Sequence, residues 1–179
     1  MILDALLQFD AAINLAQVAG TYASTNVLDL GITSGIPSSA NGGGARDIGI
    51  GDDPTMKLLV QVTTTFTSGG AGTLSVGIQS AIDNGSGAPA AFSASWYTSP
   101  TYALATLVQG ARLMDMDFPR PPDGIAIPRY LRLSYVIGTA TMTAGTVEAL
   151  LILDRMDQPY TSTNNAVMGG YPVGITVAN

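Results

Sequence analysis

Hydrophobic and polar residues alternate with period two over several stretches of the chain. In residues 57–66, Leu58, Val60, Val62 and Phe66 share one face, and Lys57, Gln61, Thr63 and Thr65 the other. Residues 73–82 repeat the pattern: Leu74, Val76, Ile78 and Ile82 face one way, Thr73, Ser75 and Gln79 the other. Such alternation, rich in β-branched residues, marks half-buried strands. The glycine-rich linker 67–72 between them suits a hairpin, because glycine reaches positive φ without a steric penalty. The spacing therefore predicts a long antiparallel hairpin with one apolar face, which a second sheet must cover.

Further strands follow from the same pattern. In 112–118, Met114, Met116 and Phe118 lie opposite Asp115 and Asp117. In 130–137, Leu131, Leu133, Tyr135 and Ile137 point inward, and 145–153 is the expected partner, with Val147, Ala149, Leu151 and Leu153 on one face. Leu150 and Ile152 make its second face apolar too, beside Glu148, the only glutamate, which predicts burial on both sides. Shorter strands are expected at 26–31, 92–97, 104–108 and 171–177. Four prolines in 119–129 exclude a helix or central strand and mark a loop crossing between sheets. At the N-terminus, Ile2, Leu3, Leu6, Leu7 and Phe9 cluster on a helical wheel, which predicts one or two helical turns. Asp4, Gln8 and Asp10 interrupt the run, so it reads as neither a secretory signal nor a membrane span. These five apolar residues either dock on the chain's own core or form an arm that contacts a partner. The expected organisation is an N-terminal arm or docked segment over 1–25 and one β-sandwich over 26–179. Seven or eight strands with uneven loops favour a jelly roll among all-β sandwiches.

Composition narrows the chemistry. With 179 residues, the chain is long enough to bury a core without staples. It has no cysteine and no histidine, so thiolate sites and the commonest general base and zinc ligand are excluded. Charged residues make up only 11%, the net charge is −6, and Lys57 is the only lysine. No basic stripe exists for nucleic acid or for a membrane surface. A surface so poor in charge is weakly defended against association, which fits a subunit covered by partners.

The remaining candidate chemistry is sparse. Gly42–Gly44 lacks the Lys-Ser/Thr and the helix of a phosphate loop. Asp47, Asp52 and Asp53 do not have EF-hand spacing and suit turns. Asp115 and Asp117 share a strand face, where a solvated pair is a simpler account than acid–base catalysis by a small hydrolase. Trp96, Tyr97 and Tyr102 are the aromatic residues that a carbohydrate- or receptor-binding jelly roll would use, although Trp96 alone reads as a core anchor.

Several motifs resemble a known family. Met1-Ile-Leu-Asp4, Ser24-Thr-Asn-Val-Leu-Asp-Leu-Gly31, Arg46-Asp-Ile-Gly-Ile-Gly51, Arg129-Tyr-Leu-Arg-Leu-Ser-Tyr135, Thr143-Ala-Gly-Thr-Val147 and Gly170-Tyr-Pro-Val-Gly-Ile175 are, in this order, similar to the landmarks of tailed-bacteriophage capsid cement (decoration) proteins. The similarity is weakest over 84–125. It implies a jelly roll without catalytic activity or cofactor, located on the exterior of the virion, where it ties major capsid subunits together. The expected partners are the major capsid protein and a second copy in a homodimer, with no nucleic acid and no membrane. Ile2, Leu3, Leu6, Leu7 and Phe9 are the expected partner-contact residues.

Overall fold

The structure is a computed structural model, and it describes residues 7–30, 56–119 and 129–153. Ten strands occur in these residues: β1 Gln8–Asn14, β2 Gly20–Ala23, β3 Leu28–Asp29, β4 Met56–Ser68, β5 Thr73–Ala81, β6 Tyr97–Thr98, β7 Tyr102–Ala103, β8 Arg112–Asp117, β9 Tyr130–Gly138 and β10 Met142–Leu153. They form two antiparallel sheets. The first has the order β1-β10-β4-β8; the second has the order β2-β9-β5-β6, with β3 also on β9 and β7 also on β5. Counting β2 with β3, and β6 with β7, as interrupted strands gives four strands per sheet. The chain then passes from sheet to sheet at every connection except β5 to β6, which is the winding of a jelly roll.

The alternation places the core correctly. Leu58, Val60, Val62 and Phe66 from β4 meet Leu74, Val76 and Ile78 from β5 and Leu131, Leu133, Tyr135 and Ile137 from β9. Val147, Ala149 and Leu151 of β10 complete the first sheet's inner face. Each large side chain buried here contributes roughly 1.5–3 kcal/mol before ordering costs. On the outer face of that sheet, Leu59, Leu150 and Ile152 form a second, smaller buried cluster. The two-sided burial expected of 145–153 is thus present, and it is achieved within the chain.

Strand pairing differs from the sequence expectation. β4 and β5 do not form a hairpin: β4 pairs with β10 and β8, β5 with β9, β6 and β7. Residues 69–72 form an arch between the sheets, and residues 139–141 form a second one, so β9 and β10 are not partners either. A hairpin and an arch use the same glycine-rich linker and the same alternation. They differ only in whether the two apolar faces lie side by side or face each other across the roughly 10 Å of a sandwich. The arches support one another: Ser68 Oγ donates to the Thr141 carbonyl at 2.7 Å, and a Cβ at Gly70 would lie 3.1 Å from that of Ala140.

The N-terminal expectation changes as well. Gln8–Asn14 is a strand on β10, not a helix, with register shifts on both sides of Asp10. β1 and β2 belong one to each sheet, so the described part of 1–25 contributes strands to the sandwich. Of the expected short strands, 26–31 is reduced to β3, and 92–97 to the start of β6. Residues 104–108 hold a 3-10 turn, Leu104–Thr106, in place of a strand. Ile82, expected inward, lies past the end of β5 and is 52% exposed. The segments 32–54 and 171–177 lie outside the described residues.

Gly145 shows how tightly the core closes. It sits in β10 at φ +138°, and a Cβ there would overlap the Phe66 ring. Both the backbone and the space require glycine. Gly145→Ala is expected to lower stability by roughly 2–4 kcal/mol, combining backbone strain with overpacking. A urea-unfolding midpoint shifted by that amount, at unchanged m-value, checks it.

Candidate functional site

The residues expected to contact a partner divide into two groups. Phe9 is completely buried in the chain's own core, and Leu7 packs half-buried against it. The Phe9 side chain has no exposed surface to offer a partner, and Leu7 has only part of its own. Ile2, Leu3 and Leu6 lie outside the described residues.

Next to Phe9 is a group that the pattern did not single out. The Asp10 carboxylate is 1% exposed. It accepts a hydrogen bond from the Tyr135 hydroxyl at 2.7 Å and another from the Thr25 amide at 2.7 Å. Asp10 belongs to the first sheet and Tyr135 to the second, so this contact crosses the sandwich. The 24–26 turn is held beside it. Asn26 donates its amide to the Phe9 carbonyl and its Nδ2 to the Gln8 carbonyl, and Ser24 Oγ donates to Asn26 O while accepting from the Leu133 amide. Burial and then the facing Asp10 carboxylate push the Tyr135 hydroxyl well above its ordinary pKa. The sequence signal was Tyr135 itself, an inward tyrosine whose hydroxyl needs a buried partner.

Arg129, at the entrance to β9, holds a second polar cluster. Its guanidinium makes a bidentate pair with Asp29, at 2.9 and 3.0 Å, and a further ion pair with Asp83. It also lies 4.9 Å from the centre of the Tyr130 ring. Asp83 accepts from the amides of Gly85 and Gly87, which shapes the 83–89 turn. Burial pushes the Asp83 carboxyl up, but those two amides and the Arg129 charge outweigh it and hold the group below its usual value. The hydrogen bonds that Arg129 donates to Asp29 are the main reason that its pKa is raised. The cluster thus ties β3, β9 and the loop after β5 together.

The pair Asp115 and Asp117 is exposed and salt-bridged. Asp117 meets Lys57 at 2.6 Å, and Asp115 meets Arg112 at 3.1 Å. Each carboxylate has its own cation on the outer sheet face. The aromatic trio is held against the core: Trp96, Tyr97 and Tyr102 are all half-buried. Trp96 meets Phe118 edge to face, with ring centres 6.2 Å apart, and Tyr102 donates its hydroxyl to the Leu113 carbonyl. Among the described residues no three acidic side chains gather to hold a metal ion. Asp47, Asp52, Asp53 and the Gly42–Gly44 loop lie outside them.

The strand order and this use of polar side chains define a jelly-roll β-sandwich whose described charged groups fasten its own turns and sheets. The chain belongs to the Bbp16 family, whose model matches residues 14–151, from the last residue of β1 to within β10. No curated protein matches it.

Removing the Tyr135 hydroxyl leaves Asp10 buried with one donor fewer. Tyr135→Phe is expected to cost about 1.5–3 kcal/mol, the usual value for a hydrogen bond to a charged group. It should also change the alkaline limb of stability. The raised pKa of Tyr135 means that the unfolded chain releases this proton near pH 10 while the folded chain keeps it. Stability therefore falls as pH rises above about 10, and the fall should be shallower in Tyr135→Phe. Denaturant midpoints of both proteins across that range measure the difference.

Proposed function

We propose that the protein is a structural component of a phage virion, a cement that binds the outer surface of the head and ties major capsid subunits together. The observation that carries this reading is the family match over 14–151, under a name that suggests a phage-related protein. The motif resemblance and the jelly-roll winding support it, as does a surface of low charge and net −6. That net charge favours the outside of the head, because packaged DNA inside would repel it. No catalysis and no cofactor are required. The molecule works through contacts that are individually modest and repeated over a lattice. It works as a pair of identical chains, the commonest symmetry for such subunits.

The N-terminal contact is now assigned to Ile2, Leu3 and Leu6, since Leu7 and Phe9 serve the core. Deleting residues 1–15 would remove β1 and Asp10 and so confound binding with folding. The informative variant replaces Ile2, Leu3 and Leu6 with serine. Added to heads lacking the protein, the wild-type chain should bind and raise their resistance to heat and osmotic shock. The triple variant should keep its own thermal midpoint and protect heads less. Equal protection by both would remove the N-terminal contact from the reading, and failure of either form to bind any head would overturn the cement assignment.

A further inference from the structure

The turn that supplies Asp83 to the Arg129 cluster carries a reactive sequence, Asp83-Asn84-Gly85-Ser86-Gly87. It leaves the end of β5 and is closed by the bridge between Asp83 and Pro89. The Asn84 amide donates to the Ala88 carbonyl and the Ala90 amide to the Ile82 carbonyl, each at 2.9 Å. Asn84, Gly85, Ser86 and Gly87 are exposed to water. An asparagine before glycine can be attacked by the backbone nitrogen that follows it, since the attack closes a small, unstrained ring and glycine has no Cβ to obstruct it. Gly85 is held at φ +91°, a conformation that favours glycine.

The turn arranges groups that assist this attack. The Gly85 amide, the nucleophile, donates to Asp83 Oδ1 at 2.6 Å, so a carboxylate already sits on the proton that must leave. The Asn84 side-chain oxygen accepts from the Ser86 amide at 2.9 Å and from Ser86 Oγ at 2.7 Å. These two bonds curl the side chain back over the peptide that follows it, and they place two donors on the atom where negative charge develops.

We propose that the turn itself converts Asn84 into a succinimide and then into aspartate or isoaspartate, with Asp83 as general base and Ser86 holding the oxyanion. In the first step the Gly85 nitrogen bonds to Asn84 Cγ, its proton passes to Asp83 Oδ1, and the charge gathers on the Asn84 oxygen under the two Ser86 donors. In the second step the Cγ–Nδ2 bond breaks, Asp83 returns its proton to the departing nitrogen, and ammonia leaves. Water then opens the ring at either carbonyl. One opening gives aspartate, and the other gives isoaspartate, with one more carbon in the backbone. Water is the only co-reactant. The product adds a negative charge beside Asp83, and isoaspartate lengthens the chain between the pairs that close the turn. Both changes loosen the tie from this turn through Arg129 to β3 and β9. The conversion is slow and one-way, and it stands independently of the cement reading.

The test incubates the purified chain in isotopically labelled water, folded and in guanidinium chloride, across about pH 6 to 8. Peptide mapping then reads the label that each new carboxyl group acquires. It separates position 84 from Asn41-Gly42, the other Asn-Gly of the sequence, which lies outside the described residues. Among the described residues, the groups facing Asp83 are Arg129, Asp29 and the Tyr130 hydroxyl, and none changes charge in this range. Label at position 84 should accumulate faster in the folded chain than in the unfolded one. In guanidinium chloride hydroxide must remove the amide proton, so the rate should rise about tenfold per pH unit, whereas in the folded chain Asp83 removes it and the profile should be nearly flat. Ser86→Ala should slow the folded reaction about threefold to tenfold, the reach of one neutral hydrogen bond, at an unchanged thermal midpoint. Asp83→Asn should restore the steep pH profile. No label at position 84, or a folded rate no higher than the unfolded rate, overturns the proposal. So does a folded profile as steep as the unfolded one, or a Ser86→Ala chain that keeps its midpoint and reacts at the wild-type rate.

Discussion

A sheet with one apolar face is stable only when something covers that face, and in this chain each sheet is the other's cover. Short arches enforce the arrangement. Four residues separate β4 from β5 and three separate β9 from β10, too few for the chain to wander before it joins the opposite sheet. The inward residues of consecutive strands therefore meet across the core and not along one sheet. Gly145 and Phe66 lie where this constraint is tightest: the ring occupies the space that any side chain on residue 145 would need. The winding of the jelly roll follows from repeating this crossing at nearly every connection.

The same constraint governs the polar groups. Asp10 is buried because β1 runs along β10 with its inner face toward the second sheet, and a carboxylate there persists only if it is hydrogen-bonded. Tyr135 and the Thr25 amide meet that need from two different elements. The contact thereby specifies how the sheets sit over one another as well as stabilising them. Arg129 acts similarly beside β3, where, among the described residues, no backbone ladder joins the 83–89 turn to that strand. Both clusters are internal fasteners.

Most of the fold was legible because period-two alternation reports burial directly. The inward residues of β4, β5 and β9, and Val147, Ala149 and Leu151 of β10, were readable one by one, apart from Ile82 beyond the end of β5. In β8 the alternation found Met114 but missed Leu113, and Met116 is only half-buried. Pairing was not legible, because alternation says which face is buried and is silent on what buries it. The N-terminus was misread for a related reason. Five apolar residues in nine fill one side of a helix, and only the ladder to β10 shows that from Gln8 onward the chain is a strand. The short strands around Tyr97 and Tyr102 carried no pattern, since two-residue pairings are set by the edge of β5 and not by their own sequence. Asp10 was visible only as an interruption of an apolar run. Its role needed the position of Tyr135, 125 residues further on.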